Sequence, residues 1–146
     1  MLSKNDYSNK VDVWSIGCTF AEMLTGKVLF PGQNYIEKVL LQIKMRGSPD
    51  EATKSQITNE LALKYVNSLP PNQKVPLEFI FPDVPADALD LIDKMLDLNP
   101  EKRISVEDAL EHPFLASLHD PMDEPVYEGP LDFSFESDKS LTMVKI

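Results

Sequence analysis

The residues in this 146-residue chain whose types suggest chemistry are one carboxylate, one thiol and two imidazoles. They are Asp12, Cys18, His112 and His119, and the acids Asp120, Asp123 and Glu124 crowd behind the second histidine. Asp12 opens a helical pattern, so it reads either as a functional carboxylate or as a first-turn acid complementing the helix dipole. Cys18 lies in an apolar run. There a thiol reads as a small core residue more readily than as a nucleophile, because burial raises its pKa. The two histidines are too far from the only cysteine to suggest a zinc site. None of the five glycines builds a glycine-rich strand-to-helix loop, which excludes the usual phosphate cradles. By spacing alone this is a helical domain without an active site.

Bulk composition narrows the partners. A formal net charge of -10 argues against nucleic acid and anionic membrane surfaces, and for basic partners. No apolar run reaches the roughly 20 residues of a membrane helix, and the first residues show no basic stretch leading into an apolar one. A single cysteine forms no internal disulfide, which fits a reducing compartment.

The elements that must position these groups start with Val11 to Leu24. Asp12, Ser15, Thr19 and Glu22 fall on one narrow stripe at helical spacing, and nearly every other position is apolar. That pattern predicts a central helix buried around most of its circumference, with Ser8 as N-cap and Gly26 as a left-handed C-cap. A connector, Lys27 to Gly32, leads to a second helix over 34–45 with Ile36, Val39, Leu40 and Ile43 on one face, stopped by Gly47 and Pro49. Residues 49–69 read as one or two weaker helices, the better one carrying Leu61, Tyr65 and Leu69. Five prolines between Pro70 and Pro85 predict an extended segment without regular structure. A third strong helix over 86–96 turns Leu89, Ile92 and Leu96 inward and ends at Asn99-Pro100. Ser105 and Asp108 resemble a capping box opening a short helix before Pro113. From His119 onward seven acids meet two lysines, so this stretch carries -5 of the total charge, and its prolines predict an extended tail wrapped over a surface.

Several motifs in order resemble one family. Asp12-Val13-Trp14-Ser15-Ile16-Gly17-Cys18, then Glu22-Met23-Leu24-Thr25-Gly26 and Leu29-Phe30-Pro31-Gly32, are similar to the central helix of the C-terminal lobe of eukaryotic protein kinases. Leu96 to Ser105, followed by His112-Pro113-Phe114, is similar to the closing helices of that lobe. Phe81-Pro82 and the segment Pro49 to Val84 resemble the insert of mitogen-activated protein (MAP) kinases, and His119 to Pro125 resembles their acidic docking segment. The implied fold is mainly α, a truncated C-terminal helical lobe. Residues 1–114 would be a partial kinase domain, and 115–146 an acidic docking extension.

The resemblance also implies what is missing. A kinase needs a glycine-rich loop, a strand lysine, a catalytic-loop aspartate and asparagine, and an Asp-Phe-Gly motif. None occurs here. Met1 reads as an internal methionine of a longer protein and Ile146 as an early stop. The expected parent is a MAP-kinase-like serine/threonine kinase using ATP and magnesium, in cytoplasm and nucleus; this chain alone would be inactive and bind neither. The alternative is a non-catalytic docking or decoy module.

Residue roles follow from the match. Asp12 matches the aspartate that holds the catalytic-loop backbone, Trp14 belongs to the same anchor, and Arg103 matches a buried arginine paired with the glutamate of Ala-Pro-Glu. That glutamate is absent. A buried charge without its partner costs about 3–5 kcal/mol, against a domain stability of roughly 5–15 kcal/mol. With the first helix open as well, the chain is expected to be unstable or aggregation-prone. Asp120, Asp123 and Glu124 match the site that attracts basic docking peptides of activating kinases, substrates and phosphatases; the alternative is a solvated acidic tail. Met1, Leu2, Tyr35, Ile36, Val39 and Tyr65 match a hydrophobic docking groove, with plain core packing as the alternative.

Overall fold

A computed structural model describes residues 9–124 and Gly129. The proposed cap Ser8 and the groove residues Met1 and Leu2 lie outside the described residues. Seven helices follow one another: α1 (Asn9–Thr25), α2 (Tyr35–Arg46), α3 (Glu51–Ser55), α4 (Glu60–Ser68), α5 (Leu77–Ile80), α6 (Ala86–Met95) and α7 (Val106–Leu110). No strand occurs among the described residues. The mainly α class expected from the pattern is the one observed.

The polar stripe of α1 faces solvent. Ser15 Oγ donates to the Val11 carbonyl and Thr19 Oγ1 to the Ser15 carbonyl, each at 3.1 Å, so the hydroxyls are satisfied within the helix. Gly26 ends the helix in the left-handed region at φ +67°. The expectation of burial around most of the circumference does not hold. Only Val13, Gly17 and Ala21 are buried, while Ile16 is 53% exposed and Met23 78%. The reason is geometric. Val13, Gly17 and Ala21 repeat every four residues and form one stripe, which packs on α6. Ile16 and Met23 lie four residues past Asp12 and Thr19, at the edge of the polar stripe, and no described element covers them.

The contact between α1 and α6 is close because Gly17 has no side chain. A Cβ built there would stand 2.8 Å from Met95 Cβ and 3.1 Å from Leu96 Cδ2. Helix α6 therefore turns Ala88, Leu91, Ile92 and Met95 inward, continued by Leu96; Leu89, expected inside, is half-buried. Two apolar clusters flank this contact. One holds Ala21, Phe30, Met45, Leu77, Ile92 and Leu96, with Trp14 stacked on Phe30 at 6.0 Å and 11°. The other holds Val13, Leu91, Met95 and Ala109, with Phe20 tilted against Phe114 at 5.3 Å.

The remaining helices correct the inferred pattern in detail. Helix α2 starts where Asn34 accepts the Glu37 amide at 2.9 Å, and it buries Val39, Ile43, Met45 and Arg46. Ile36 stays exposed. In α4 the buried residue is Val66, which joins Val39, Ile43 and Ile57 in a third cluster; Leu61 is 77% exposed. Alternating every four residues, Leu61, Tyr65 and Leu69 mark one edge of the amphipathic face, and its centre is set by the neighbours Ala62 and Val66. The proline-rich stretch holds one helical turn, α5, in the gap between Pro76 and Pro82. Pro76 is its N-cap, where no amide hydrogen is needed. Ser105 caps α7 as expected, accepting the Asp108 amide at 3.0 Å. Asp108, one methylene shorter than Glu, takes a hydrogen bond from the Ser105 hydroxyl at 2.6 Å.

Any side chain at position 17 must push α1 off α6. Gly17→Val is expected to lower stability by about 1–3 kcal/mol through overpacking, read as a shift in urea midpoint. An unchanged midpoint would show that the two helices do not depend on that approach.

Candidate functional site

Arg103 holds the turn after α6 against the start of α1. It is 9% exposed. Its Nε and Nη2 donate to the Asp97 carbonyl at 3.0 and 2.8 Å, and its Nη1 donates to the Lys10 carbonyl at 2.5 Å. Lys10 returns a bond from Nζ to the Arg103 carbonyl at 2.7 Å. The guanidinium also lies over the Trp14 ring, 5.0 Å from its centroid. No carboxylate pairs with it among the described residues. The charge is thus not stripped of partners, as the sequence led one to expect. Carbonyl oxygens and an aromatic face take the place of an acid. Burial lowers the Arg103 pKa, partly opposed by Asp97 and Cys18. Burial likewise pushes the Cys18 thiol up to about 11 against the pull of Arg103. Cys18 packs against the main cluster as an uncharged core residue. Asp12 is exposed in the first turn of α1 and makes no hydrogen bond to another described residue.

Beside Arg103 opens a cleft of about 610 Å³, lined by Lys10, Lys94, Lys102, Ser105 and His112 among others. Its cations are already engaged. Lys94 binds Asp90 at 2.6 Å and Lys102 binds Asp50 at 2.7 Å. His112 accepts the Phe114 amide on Nδ1 at 3.3 Å, which leaves the proton on Nε2 to donate to Asp90 at 2.9 Å. Hydrogen bonds from Lys94 and then His112 hold the Asp90 carboxyl below its ordinary range. These groups tie α6, α3 and α7 together. Among the described residues no group of three or more His, Cys, Asp or Glu side chains is placed to hold a metal ion.

The acidic segment forms a defined turn. Glu124 accepts from His119 Nδ1 at 2.9 Å and from the Asp120 amide at 3.2 Å. Asp120 Oδ1 accepts the Met122 amide at 3.0 Å, and the Asp123 amide donates to the Asp120 carbonyl at 2.9 Å. Asp120 and Asp123 face solvent; Glu124 is turned in toward the histidine. Of the groove residues, Tyr35 and Ile36 are exposed on the first turn of α2, Val39 is core, and Tyr65 packs against the cluster that holds Val39.

The protein kinase domain family matches residues 1–115. The chain belongs to the protein kinase family. Its helical architecture is that of the C-terminal lobe. It is 48% identical over 136 residues to the mitogen-activated protein kinase spm1 of Schizosaccharomyces pombe, covering 93% of this chain and 32% of that protein. It is 43% identical over 135 residues to the mitogen-activated protein kinase HOG1 of Wallemia muriae, covering 92% of this chain and 49% of that one. It is 46% identical over 138 residues to the mitogen-activated protein kinase mpkC of Aspergillus fumigatus, covering 94% of this chain and 36% of the relative. The chain spans a third to a half of the length of these curated relatives.

Sequence reasoning missed an ionic anchor that joins three segments of this lobe. Arg46, at the end of α2, donates from Nη1 to Asp93 Oδ1 at 2.5 Å and from Nη2 to the Asp93 carbonyl at 2.9 Å. Lys74 binds the other carboxylate oxygen at 2.6 Å. The partners are 19 and 47 residues apart in sequence, so no local spacing betrays them. Burial opposes ionisation of Asp93, but the bonds from Lys74 and Arg46 and their charges outweigh it and hold the carboxyl below its ordinary range. Removing one member of a buried pair costs about 3–5 kcal/mol; with Asp93 a third exposed, Asp93→Asn is expected to cost roughly 2–3 kcal/mol in urea unfolding. A depressed native pKa gives stability that is full above the unfolded value near 3.9 and fades as pH falls through the native one. The advantage of wild type over the variant should therefore be constant above about pH 4 and shrink below it. A gap that persists unchanged at lower pH would remove the ion pair as its cause.

Proposed function

We propose that this chain is the C-terminal-lobe portion of a MAP-kinase-type serine/threonine kinase that acts in a signalling cascade, and that its own part in that activity is docking rather than chemistry. Residues 1–114 form the kinase portion, 49–84 its MAP-kinase-type insert, and 115–146 the acidic docking extension. The whole kinase transfers the γ-phosphate of ATP, with magnesium, to Ser/Thr of protein substrates in cytoplasm and nucleus. These 146 residues contain none of the groups that perform the transfer.

One observation carries the docking reading. Asp120 and Asp123 project from a turn whose shape is fixed by Glu124 bound to His119. Two outward carboxylates on a short, hydrogen-bonded turn present negative charge at a fixed spacing to a basic peptide of an activating kinase, substrate or phosphatase. Within the sequence-predicted triplet, Asp120 and Asp123 are the contact groups and Glu124 is the strut. The exposed Tyr35 and Ile36, beside the cluster of Val39 and Tyr65, support a second, apolar contact of the same lobe.

Fluorescence anisotropy with a labelled peptide bearing two or three basic residues ahead of an apolar pair tests the docking reading. Asp120→Lys with Asp123→Lys should weaken binding about tenfold, the equivalent of ~1.4 kcal/mol, as expected for a few exposed ion pairs of roughly 0.2–1 kcal/mol each. Added salt should shrink the difference. Equal affinity of the two proteins would refute docking at this turn.

A further inference from the structure

A groove of about 730 Å³ runs between the end of α1, the second half of α2 and the stretch after α5. It lies apart from both contacts described above. Its apolar wall includes Leu29, Phe30, Leu41, Met45, Ile80 and Phe81. Phe30 and Met45 belong to the main core cluster and the other four pack against it, so the floor is fixed by the core. The far wall is tied down as well. Val75 donates its amide to the Met45 carbonyl at 3.0 Å, and Asn72 Nδ2 caps the Ile43 and Lys44 carbonyls at 2.9 Å. A rigid, open, apolar trough needs little ordering when a chain lies down in it.

Its rim has a charge character opposite to that of the protein. Lys27 and Lys44 both line the groove, both are exposed, and neither ammonium meets a carboxylate among the described residues, in a chain of net charge -10. Val28, next to Lys27, is 58% exposed on the same rim. Asp83 lines the end beyond Phe81 and Pro82. Two cations on an apolar trough complement acidic groups that flank apolar side chains. The acid at the far end adds a place for a positive group, which a peptide carries and a fatty acid does not.

We propose that this groove docks a short acidic–apolar peptide segment of a partner protein, its apolar side chains against Leu29, Phe30, Leu41 and Met45 and its carboxylates on Lys27 and Lys44. The contact is complementary in sign to the acidic turn, so the lobe would hold basic peptides at Asp120 and Asp123 and acidic ones here.

The test is selection of a displayed heptapeptide library on the immobilised 146-residue chain, followed by anisotropy with the most enriched sequence. Peptides pairing two or more apolar residues with Asp or Glu should be enriched. The leading one should bind roughly tenfold more weakly to Lys27→Glu/Lys44→Glu, and its charge-reversed version should not bind wild type. Lys27 and Lys44 are exposed, and matching far-UV circular dichroism confirms that the variant folds. Val28→Asp, also on the surface, should weaken the same peptide while leaving a basic peptide at the acidic turn unaffected. Equal binding to wild type and the double lysine variant would overturn the proposal. So would enrichment without acidic residues, or displacement of the peptide by dodecanoate at equal concentration, which would assign the groove to a lipid.

Discussion

The close approach of α1 and α6 is the constraint on which the rest of the structure depends. It exists because position 17 is glycine, with Met95 Cβ and Leu96 occupying the space a side chain would need. Val13 and Ala21, one turn to either side, meet the same helix, and the two clusters that flank it spread from that line toward Phe30 and Met45 on one side and Ala109 on the other. Arg103 reinforces it from the end. By donating to the Asp97 and Lys10 carbonyls and covering the Trp14 ring, it fastens the turn after α6 to the first turn of α1.

The same contact explains what α1 leaves open. A helix 17 residues long with three buried residues at four-residue spacing offers one covered stripe. Ile16 and Met23 belong to a face that no described helix meets. For a protein kinase lobe that spans a third to a half of its relatives' length, this face separates two roles. The stripe toward α6 builds the lobe, and Ile16 and Met23, at the edge of the polar stripe, form an apolar border of the kind that a neighbouring element covers.

Much of this was legible in the sequence, for physical reasons. The spacing of Asp12, Ser15, Thr19 and Glu22 fixed both the helix and its solvent stripe, and Ser105 with Asp108 announced a cap that forms as read. Cys18 was legible as core because its neighbours are apolar. What failed were inferences that need a partner in space. Periodicity gives the apolar arc of α1 but cannot say how much of it another helix covers. Leu61 sits at the right interval and still points outward, because its face is centred on Val66. Arg46, Asp93 and Lys74 meet across three segments, and no window of sequence contains them. At the acidic turn no spacing tells Glu124 apart from Asp120 and Asp123, since the bond from His119 that withdraws Glu124 is a tertiary detail.

Methionine oxidation tests the central claim most directly, because α1 and α6 each carry a methionine with opposite exposure: Met23 at 78% and Met95 at 7%. Under brief hydrogen peroxide treatment of the native chain, peptide mass spectrometry should find Met23 converted to the sulfoxide well before Met95. Equal protection of the two would mean that the outer face of α1 is covered after all. Equal reactivity would mean that α1 and α6 are not packed together, and either result would contradict the account.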